Sequence, residues 1–275
     1  MLGRFIILLF IFSIYPVTSY AEKQRNYTIG IVPQFEIRHI RKIWTPIFQL
    51  IEKKTGYKLT FKGSPTIQDF GKELKAGKFD FAYMNPYQLL VANKLQGYVP
   101  LIRDVDRKLQ GILVVKKDNP IQSIKELENK KIAFPSPNAL GATLLIRADI
   151  AKKFNINYEA IYVKTHSSVY LNVLVKQTAA GGGVQKTLNQ QKDNIKSALR
   201  ILYRTPEYSP HPFSAHPRVP KTVRDNIIKT FLQIGETLTG KELLAKIPIK
   251  KIGKANINDY IELRKLGLDK FYVQH

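Results

Sequence analysis

The chain has 275 residues, of which 44% are hydrophobic and 24% charged, a globular composition long enough for two modest hydrophobic cores. Lys and Arg number 44 against 21 Asp and Glu, so the formal net charge is +23, which implies anionic surroundings or an anionic ligand. The basic residues occur in scattered short pairs, which favours a uniformly basic surface over a dedicated nucleic-acid stripe. Because the chain has no cysteine, disulfides, Cys-based zinc sites, Cys nucleophiles and a lipid anchor on an N-terminal Cys are excluded.

Residues 1–21 have the organisation of a cleavable signal peptide. A basic start ends at Arg4, the short apolar stretch 5–14 follows, Pro16 interrupts it, and small residues stand at Ser19 and Ala21. The alternative is a membrane anchor, but a span needs about 20 apolar residues. Cleavage after Ala21 would leave a soluble periplasmic protein, for which nucleic acid is not an expected partner.

Strand patterns alternate with amphipathic helix patterns from residue 27 to residue 104. This alternation predicts a parallel α/β sheet, in which ligands bind beyond the carboxyl ends of the strands. The candidate loops are therefore 33–36, 83–87 and 135–141. The predicted strands are 27–32, 57–62, 79–84 and 99–104, and the predicted helices are 37–54, 66–76 and 87–95.

A second α/β run follows, and the C-terminal part is helical. We expect segment 205–220 to be irregular and the glycines at 181–183 to form a turn near a hinge. The fold predicted is α/β with two lobes and a ligand cleft: residues 22–110 and 204–275 form lobe 1, and residues 111–203 form lobe 2. The predicted strands are 110–116, 132–134, 160–163 and 199–203, the first and last of which form a two-strand hinge. The predicted helices begin at 166 and span 184–191, 222–236, 241–246 and 257–266.

The stretch 132–147 (IAFPSPNALGATLLIR) organises the second run. It predicts a buried strand, a turn containing two prolines, and a helix capped by Ser136 or Asn138. The N–H groups at the start of such a helix point outward at the positive end of its dipole, which is a general anion site. The alternative is an ordinary strand-to-helix turn.

Several motifs, in order along the chain, resemble those of the phosphate/phosphite/phosphonate-type substrate-binding proteins of ABC transporters. These are the signal peptide, the strand ending in GIVP at 30–33, FDFAYMNPYQLLVA at 79–92, KKIAFPSPNALGATLL at 130–145, a helix led by His166, and HPFSAHPRVP at 211–220. The resemblance covers nearly the whole mature chain. It implies a type II periplasmic-binding fold, with two α/β lobes that enclose the ligand.

The resemblance also implies which residues hold an oxyanion. In this family hydroxyl and backbone N–H groups do so at the helix start after a second-lobe strand, which here is the segment from Ser136 through Asn138 and Ala139 to Thr143. His166 would donate a further hydrogen bond. If the pKa of His166 is near neutrality, binding would depend on pH.

Three departures from the family pattern leave the ligand's identity open. Asn138 and Ala139 stand where consecutive Ser or Thr residues are usual, and Ser167 follows His166 where the family often has Asp. Residues 178–181 contain no acid to hold a ligand amino group. An aminoalkylphosphonate is therefore disfavoured.

Tyr83 and Asn85 are the candidates from lobe 1, because they end the strand 79–84 and can hydrogen-bond an oxyanion. The alternatives are that Tyr83 is a core residue and that Asn85 caps a helix. His211 and His216 are a weak metal signal, since no carboxylate accompanies them, and a structural loop is favoured. The predicted ligand-binding residues are Tyr83, Asn85, Ser136, Asn138, Ala139, Thr143 and His166.

No nucleophile elbow, metalloprotease motif or paired carboxylates are present, so an enzyme is not expected. The sequence predicts an exported, monomeric solute-binding protein that needs no cofactor or metal. It would capture a small anion and deliver it to an ABC transporter permease. Two alternatives stay open. One is a sensor of the same fold that acts on a membrane receptor, and the other is a basic envelope protein that binds polyanions.

Overall fold

The structure is a computed structural model and describes residues 26–247 and 249–273. The predicted signal peptide, residues 1–21, lies outside the described residues. Among the described residues, no helix combines the length and the apolar character needed to cross a bilayer.

A six-stranded sheet forms the first half of the molecule. Its strand order is β11-β4-β10-β3-β1-β2, and helix α1 contributes Trp44, Phe48 and Ile51 to the core on it. The first four strands alternate with three helices, as predicted. The elements are β1 (Asn26–Ile31), α1 (Ile37–Thr55), β2 (Lys58–Lys62), α2 (Ile67–Lys75), β3 (Phe81–Tyr83), α3 (Pro86–Gln96), β4 (Val99–Asp104), β10 (Phe213–Ala215) and β11 (Ile252–Lys254).

The prediction that residues 205–220 are irregular is wrong. Strand β10 lies inside this segment and pairs antiparallel with both β3 and β4. The four early strands still point the same way, but an antiparallel strand separates β3 from β4. His211 and His216 lie at opposite ends of this three-residue strand, so they do not form a pair of ligands.

A five-stranded sheet forms the second half, in the order β7-β6-β8-β5-β9. The chain passes between the two sheets twice, from β4 into β5 and from β9 into β10. The elements are β5 (Leu109–Lys116), β6 (Lys131–Phe134), β7 (Glu159–Tyr162), α5 (His166–Leu174), β8 (Ala180–Val184), α6 (Gln185–Asn189), α7 (Asp193–Ser197) and β9 (Leu199–Tyr208).

The helix predicted after residue 138 runs continuously over residues 140–154. It begins as a π-helical turn, Leu140–Leu144, continues as α4, Leu145–Asp149, and ends in a second π-helical turn, Ile150–Phe154. Its N-cap is Ala139, which offers no capping side chain, so the predicted cap by Ser136 or Asn138 is wrong. We call this element helix 140–154.

The glycines at 181–183 are not a turn. They are three of the five residues of β8, the fully buried central strand of the second sheet. A Cβ at Gly182 would overlap the carbonyl oxygen of Ala142, and a Cβ at Gly111 in β5 would overlap that of Gly141. The glycines therefore allow the start of helix 140–154 to lie directly on the sheet backbone.

The C-terminal part returns to the first sheet and then reaches the second half. Helices α8 (Lys221–Glu236) and α9 (Leu238–Lys246) pack on α1. The predicted helix at 257–266 is instead a series of 3₁₀ turns, Ile257–Asp259, Ile261–Leu266 and Leu268–Lys270. Beyond them, Val273 exchanges two hydrogen bonds of 2.9 Å with the side chain of Asn138.

Gly182→Ala is expected to destabilise the fold by roughly 1–3 kcal/mol, because the added methyl group meets backbone and cannot be accommodated by a side-chain rotation. Gly71→Ala is the matched control. Gly71 lies inside α2, and its added Cβ would meet only the Gln88 amide at 3.8 Å. This control is expected to stabilise by roughly 0.5–1 kcal/mol, since alanine loses less backbone entropy in a helix. Urea unfolding of the three proteins measures both effects; equal stability of Gly182→Ala and the parent would contradict the packing argument.

Candidate functional site

A small cavity lies between the two sheets, where the loops after β1, β3, β6 and β7 converge. Its volume is about 10 Å³, close to the space needed for one water molecule. All three loops named from the sequence contribute to it: loop 33–36 through Gln34, loop 83–87 through Asn85, and loop 135–141 through its last three residues. The lining residues are Val32, Gln34, Ile67, Asn85, Ala139, Leu140, Gly141, Ala142, His166, Val184 and His211.

The start of helix 140–154 supplies backbone donors to this cavity. Within the described residues, the N–H groups of Leu140, Gly141 and Ala142 have no protein acceptor, because the first helical hydrogen bond is the one from Thr143 to Ala139. All three residues line the cavity. Three unpaired N–H groups at the positive end of a helix form a site suited to an anion.

Two hydroxyl groups of the same segment also lack partners. Ser136 and Thr143 are fully buried, and neither Ser136 Oγ nor Thr143 Oγ1 makes a hydrogen bond among the described residues. They flank the lining residues Ala139 to Ala142 without being part of the lining themselves. A buried hydroxyl without a partner costs free energy, so both groups are available for a ligand or a water molecule.

Asn85 and Asn138 are both buried and are engaged by the protein. Asn85 caps α3 through its side-chain oxygen, which accepts from Gln88 N at 2.8 Å, and its Nδ2 donates to the carbonyl oxygen of Asn138 at 3.2 Å. The Asn138 side chain is occupied by Val273. The two asparagines thus join the halves of the molecule beside the cavity.

His166 lines the cavity and begins α5. Its Nδ1 lies 3.1 Å from the hydroxyl of Thr187, and its backbone N–H points across the cavity to the Gln34 carbonyl oxygen at 3.4 Å. Burial, with a smaller contribution from the charge of Lys186, lowers the pKa of His166 to about 3. The near-neutral pKa considered from the sequence is therefore wrong, and the imidazole is neutral at physiological pH.

Tyr83 is buried at the edge of the site but does not line the small cavity. Its ring lies between Trp44 and His211, with centroid distances of 5.0 and 5.5 Å, and Lys186 Nζ donates to its hydroxyl at 3.0 Å. His211 is also buried; its burial, with a smaller contribution from the charge of Lys186, lowers its pKa well below the usual range.

Sequence reasoning missed Gln34, His211 and Lys186. Gln34 lies in a loop that was named as a candidate, yet nothing in its neighbourhood distinguished it from a solvent-exposed residue. His211 precedes β10, a strand that was not predicted. Lys186 is one of 44 basic residues and had no distinguishing pattern.

Two sheets joined by two crossings, with a polar cavity between them that collects loops from both, define the class: a type II periplasmic binding protein. Comparison with known proteins agrees. A structure from Prochlorococcus marinus, in complex with methylphosphonate, superposes with a TM-score of 0.81 at 17% identity, over 91% of this chain and 100% of that one.

The family can be stated as well. The profile of the family described as "ABC transporter, phosphonate, periplasmic substrate-binding protein" matches residues 29–260, and the chain belongs to that family. It is 22% identical over 263 residues to the phosphonates-binding periplasmic protein of Escherichia coli, covering 90% of this chain and 78% of the relative. It is also 22% identical over 228 residues to a phosphate-import protein of Mycolicibacterium smegmatis, covering 75% and 71%. Members of this family bind substrates for transport and are not enzymes, as the sequence predicted.

The buried histidines make folding sensitive to acid. A histidine that is neutral when folded and has a pKa near 6.5 when unfolded takes up its proton only on unfolding, so its contribution to stability falls as pH drops below about 6.5. For His166 this loss continues down to its folded pKa of about 3. Between pH 7.5 and pH 5.0 it amounts to roughly 2 kcal/mol.

Urea unfolding at several pH values tests this linkage. His166→Gln is expected to lose less stability than the parent between pH 7.5 and pH 5.0, by roughly 2 kcal/mol. His39→Gln is the control, since His39 lies exposed on α1. Parallel pH profiles for the parent and His166→Gln would show that His166 is not buried in its neutral form.

Proposed function

We propose that this chain binds a small tetrahedral oxyanion of the phosphonate, phosphate or phosphite type in the cavity between its two lobes and delivers it to an ABC transporter. The observation that carries the proposal is the set of unpaired N–H groups of Leu140, Gly141 and Ala142 facing the cavity. Membership of a phosphonate transporter family and the methylphosphonate in the Prochlorococcus marinus structure support the choice of ligand.

The remaining predicted residues have roles in this proposal that differ from one another. Ser136 and Thr143 donate their free hydroxyl groups once the ligand draws the segment inward, and neutral His166 offers one N–H donor. Asn85 and Asn138 position the helix start through their protein hydrogen bonds. Tyr83 supports the site from its edge, beside Lys186.

We further propose the domain division expected from the sequence, with residues 22–110 and 204–275 in lobe 1 and residues 111–203 in lobe 2. The sheets support it to within a few residues: β5 begins at Leu109 and β9 runs to Tyr208, so residues 109–110 and 204–208 belong to strands of the second sheet. Closure of the lobes would bring Asn85 to Asn138 and Gln34 to His166, as in this structure, and opening would separate them.

Members of the family are periplasmic substrate-binding proteins of ABC transporters. The partners of this chain are therefore a small ligand and a membrane transporter. We propose that residues 1–21 direct export, that the mature protein begins at Glu22, and that it acts as a monomer.

A thermal-shift and calorimetry screen with phosphate, phosphite, sulfate and methylphosphonate tests the function. A ligand present at about 100 times its Kd stabilises by about 2.7 kcal/mol, a shift of roughly 5–10 °C for a chain of this size. No shift with any phosphorus oxyanion at millimolar concentration would contradict the proposal.

Variants identify the site. Thr143→Val and Ser136→Ala are each expected to weaken binding about ten-fold or more, because each removes one hydrogen bond to a charged ligand. Ser214→Ala is the matched control: Ser214 Oγ is equally buried and unpaired, but it lies within β10 and not beside the cavity. Equal affinities for all three variants and the parent would exclude this location.

A further inference from the structure

A second, larger cavity adjoins the first one. Its volume is about 410 Å³, and it shares Val184 and His211 with the small cavity, so the two are contiguous. We call it the chamber. Its other lining residues are Tyr83, Asp104, Arg107, Lys108, Leu109, Gln110, Gln185, Lys186, Asn189, Gln190, Pro210 and Ala245.

The chamber carries an excess of positive charge. Three of its lining residues are cationic, Arg107, Lys108 and Lys186, and none of them forms an ion pair with a carboxylate among the residues that the structure describes. Lys186 is the cation nearest the small cavity, since it donates to Tyr83 and its charge acts on both buried histidines. Unpaired cations around a cavity attract an anionic group.

The single acid of the chamber does not cancel this charge. Asp104 is buried, with 3% of its surface exposed, and its carboxylate accepts hydrogen bonds from four backbone N–H groups. The donors are Asp106, Arg107, Lys250 and Lys251, at 2.9, 3.1, 2.7 and 3.3 Å. A carboxylate satisfied in this way has little capacity left for an ammonium group of a ligand.

The small cavity, at about 10 Å³, must widen to admit even the oxyanion head of a ligand. A substituent on that head must leave through an opening, and the shared residues Val184 and His211 place the chamber directly beside it. The neighbouring Gln110 and Gln185 both accept from Arg204, which adds a fourth cation at the chamber's rim.

We propose that the physiological ligand is an organic phosphonate or phosphate ester with a second anionic group, such as a carboxylate, which lies in the chamber against Lys186, Arg107 and Lys108. This inference rests on the proposed function and adds the class of substituent. It excludes a ligand with a terminal ammonium group, for which the chamber offers repulsion.

Calorimetry with a matched ligand series tests it: methylphosphonate, phosphonoacetate, 3-phosphonopropionate and 2-aminoethylphosphonate. At least one of the two carboxylates is expected to bind about ten-fold more tightly than methylphosphonate, because it gains a charge-assisted hydrogen bond, and the ammonium compound more weakly. The advantage should shrink in high salt, since the chamber is open to solvent. Methylphosphonate or aminoethylphosphonate binding as tightly as both carboxylates would overturn the inference.

Substitutions at the three lining cations locate the second anionic group of the ligand. Arg107→Gln combined with Lys108→Gln changes two exposed side chains in the β4–β5 connection and should remove part of the carboxylate's advantage while leaving methylphosphonate affinity unchanged. Lys186→Met should remove most of that advantage, and Lys186→Arg should restore it. Lys125→Gln, an exposed lysine elsewhere in lobe 2, is the control for overall charge and should change neither affinity. An undiminished carboxylate advantage in all these variants would overturn the proposed location.

The oxyanion site and the site for the second anionic group can be tested separately. If methylphosphonate, phosphate and phosphite bind but the carboxylates show no advantage, the oxyanion site stands and the second anionic group is wrong. If none of these compounds binds, the proposed function itself is wrong, and the inference falls with it.

Discussion

The close approach of helix 140–154 to the backbone of β5 and β8 is the constraint on which the site depends. Gly111 and Gly182 have no Cβ where the carbonyl oxygens of Gly141 and Ala142 lie against the sheet. Those carbonyl groups face the sheet, and Leu140, Gly141 and Ala142 line the cavity between the lobes. Because the usual acceptors of their N–H groups precede the helix, these N–H groups have no acceptor among the described residues.

The same turn is held from the other side by the first lobe and the C-terminal segment. Asn85 reaches the Asn138 carbonyl oxygen from lobe 1, and Val273 pairs with the Asn138 side chain. Arg147 and Lys152, further along helix 140–154, donate to the carbonyl oxygens of Phe271 and Leu266. The helix start is thus fixed by sheet packing below and by polar contacts above, which gives its free donors a defined direction.

Much of the fold could be read from local patterns. Strand and amphipathic helix periodicities are properties of a short window, so the elements from β1 to β4 and the long α1 and α8 were predicted close to their observed bounds. Strand β10 could not be predicted, because its three residues, Phe213–Ala215, are too few to show a periodicity and become a strand only through pairing with β3 and β4. The glycines of β8 were misread for a similar reason: their role is to allow a distant helix to approach, which a window of sequence does not reveal.

The candidate site, too, was predictable from local sequence only in part. The rule that ligands lie beyond the carboxyl ends of strands named loops that line the cavity, and three of the seven named residues, Asn85, Ala139 and His166, are among the lining residues. Which atoms of those loops are free was decided by tertiary contacts: Asn138 looked like a ligand donor but is occupied by Val273. Lys186 could not be singled out among so many lysines without knowing that its neighbours are two buried histidines.

The residues that line the small cavity include no charged side chain. The cavity is lined by neutral donors and by two histidines whose burial keeps them uncharged, whereas the cations stand in the larger chamber beside it. A buried cation in the empty cavity would have a desolvation cost with no partner. Neutral donors avoid that cost, and nearby cations attract anions from solution. In a chain with a net charge of +23, attraction of anions is already abundant, so in the proposed function the uncharged donors would select the shape of the head group.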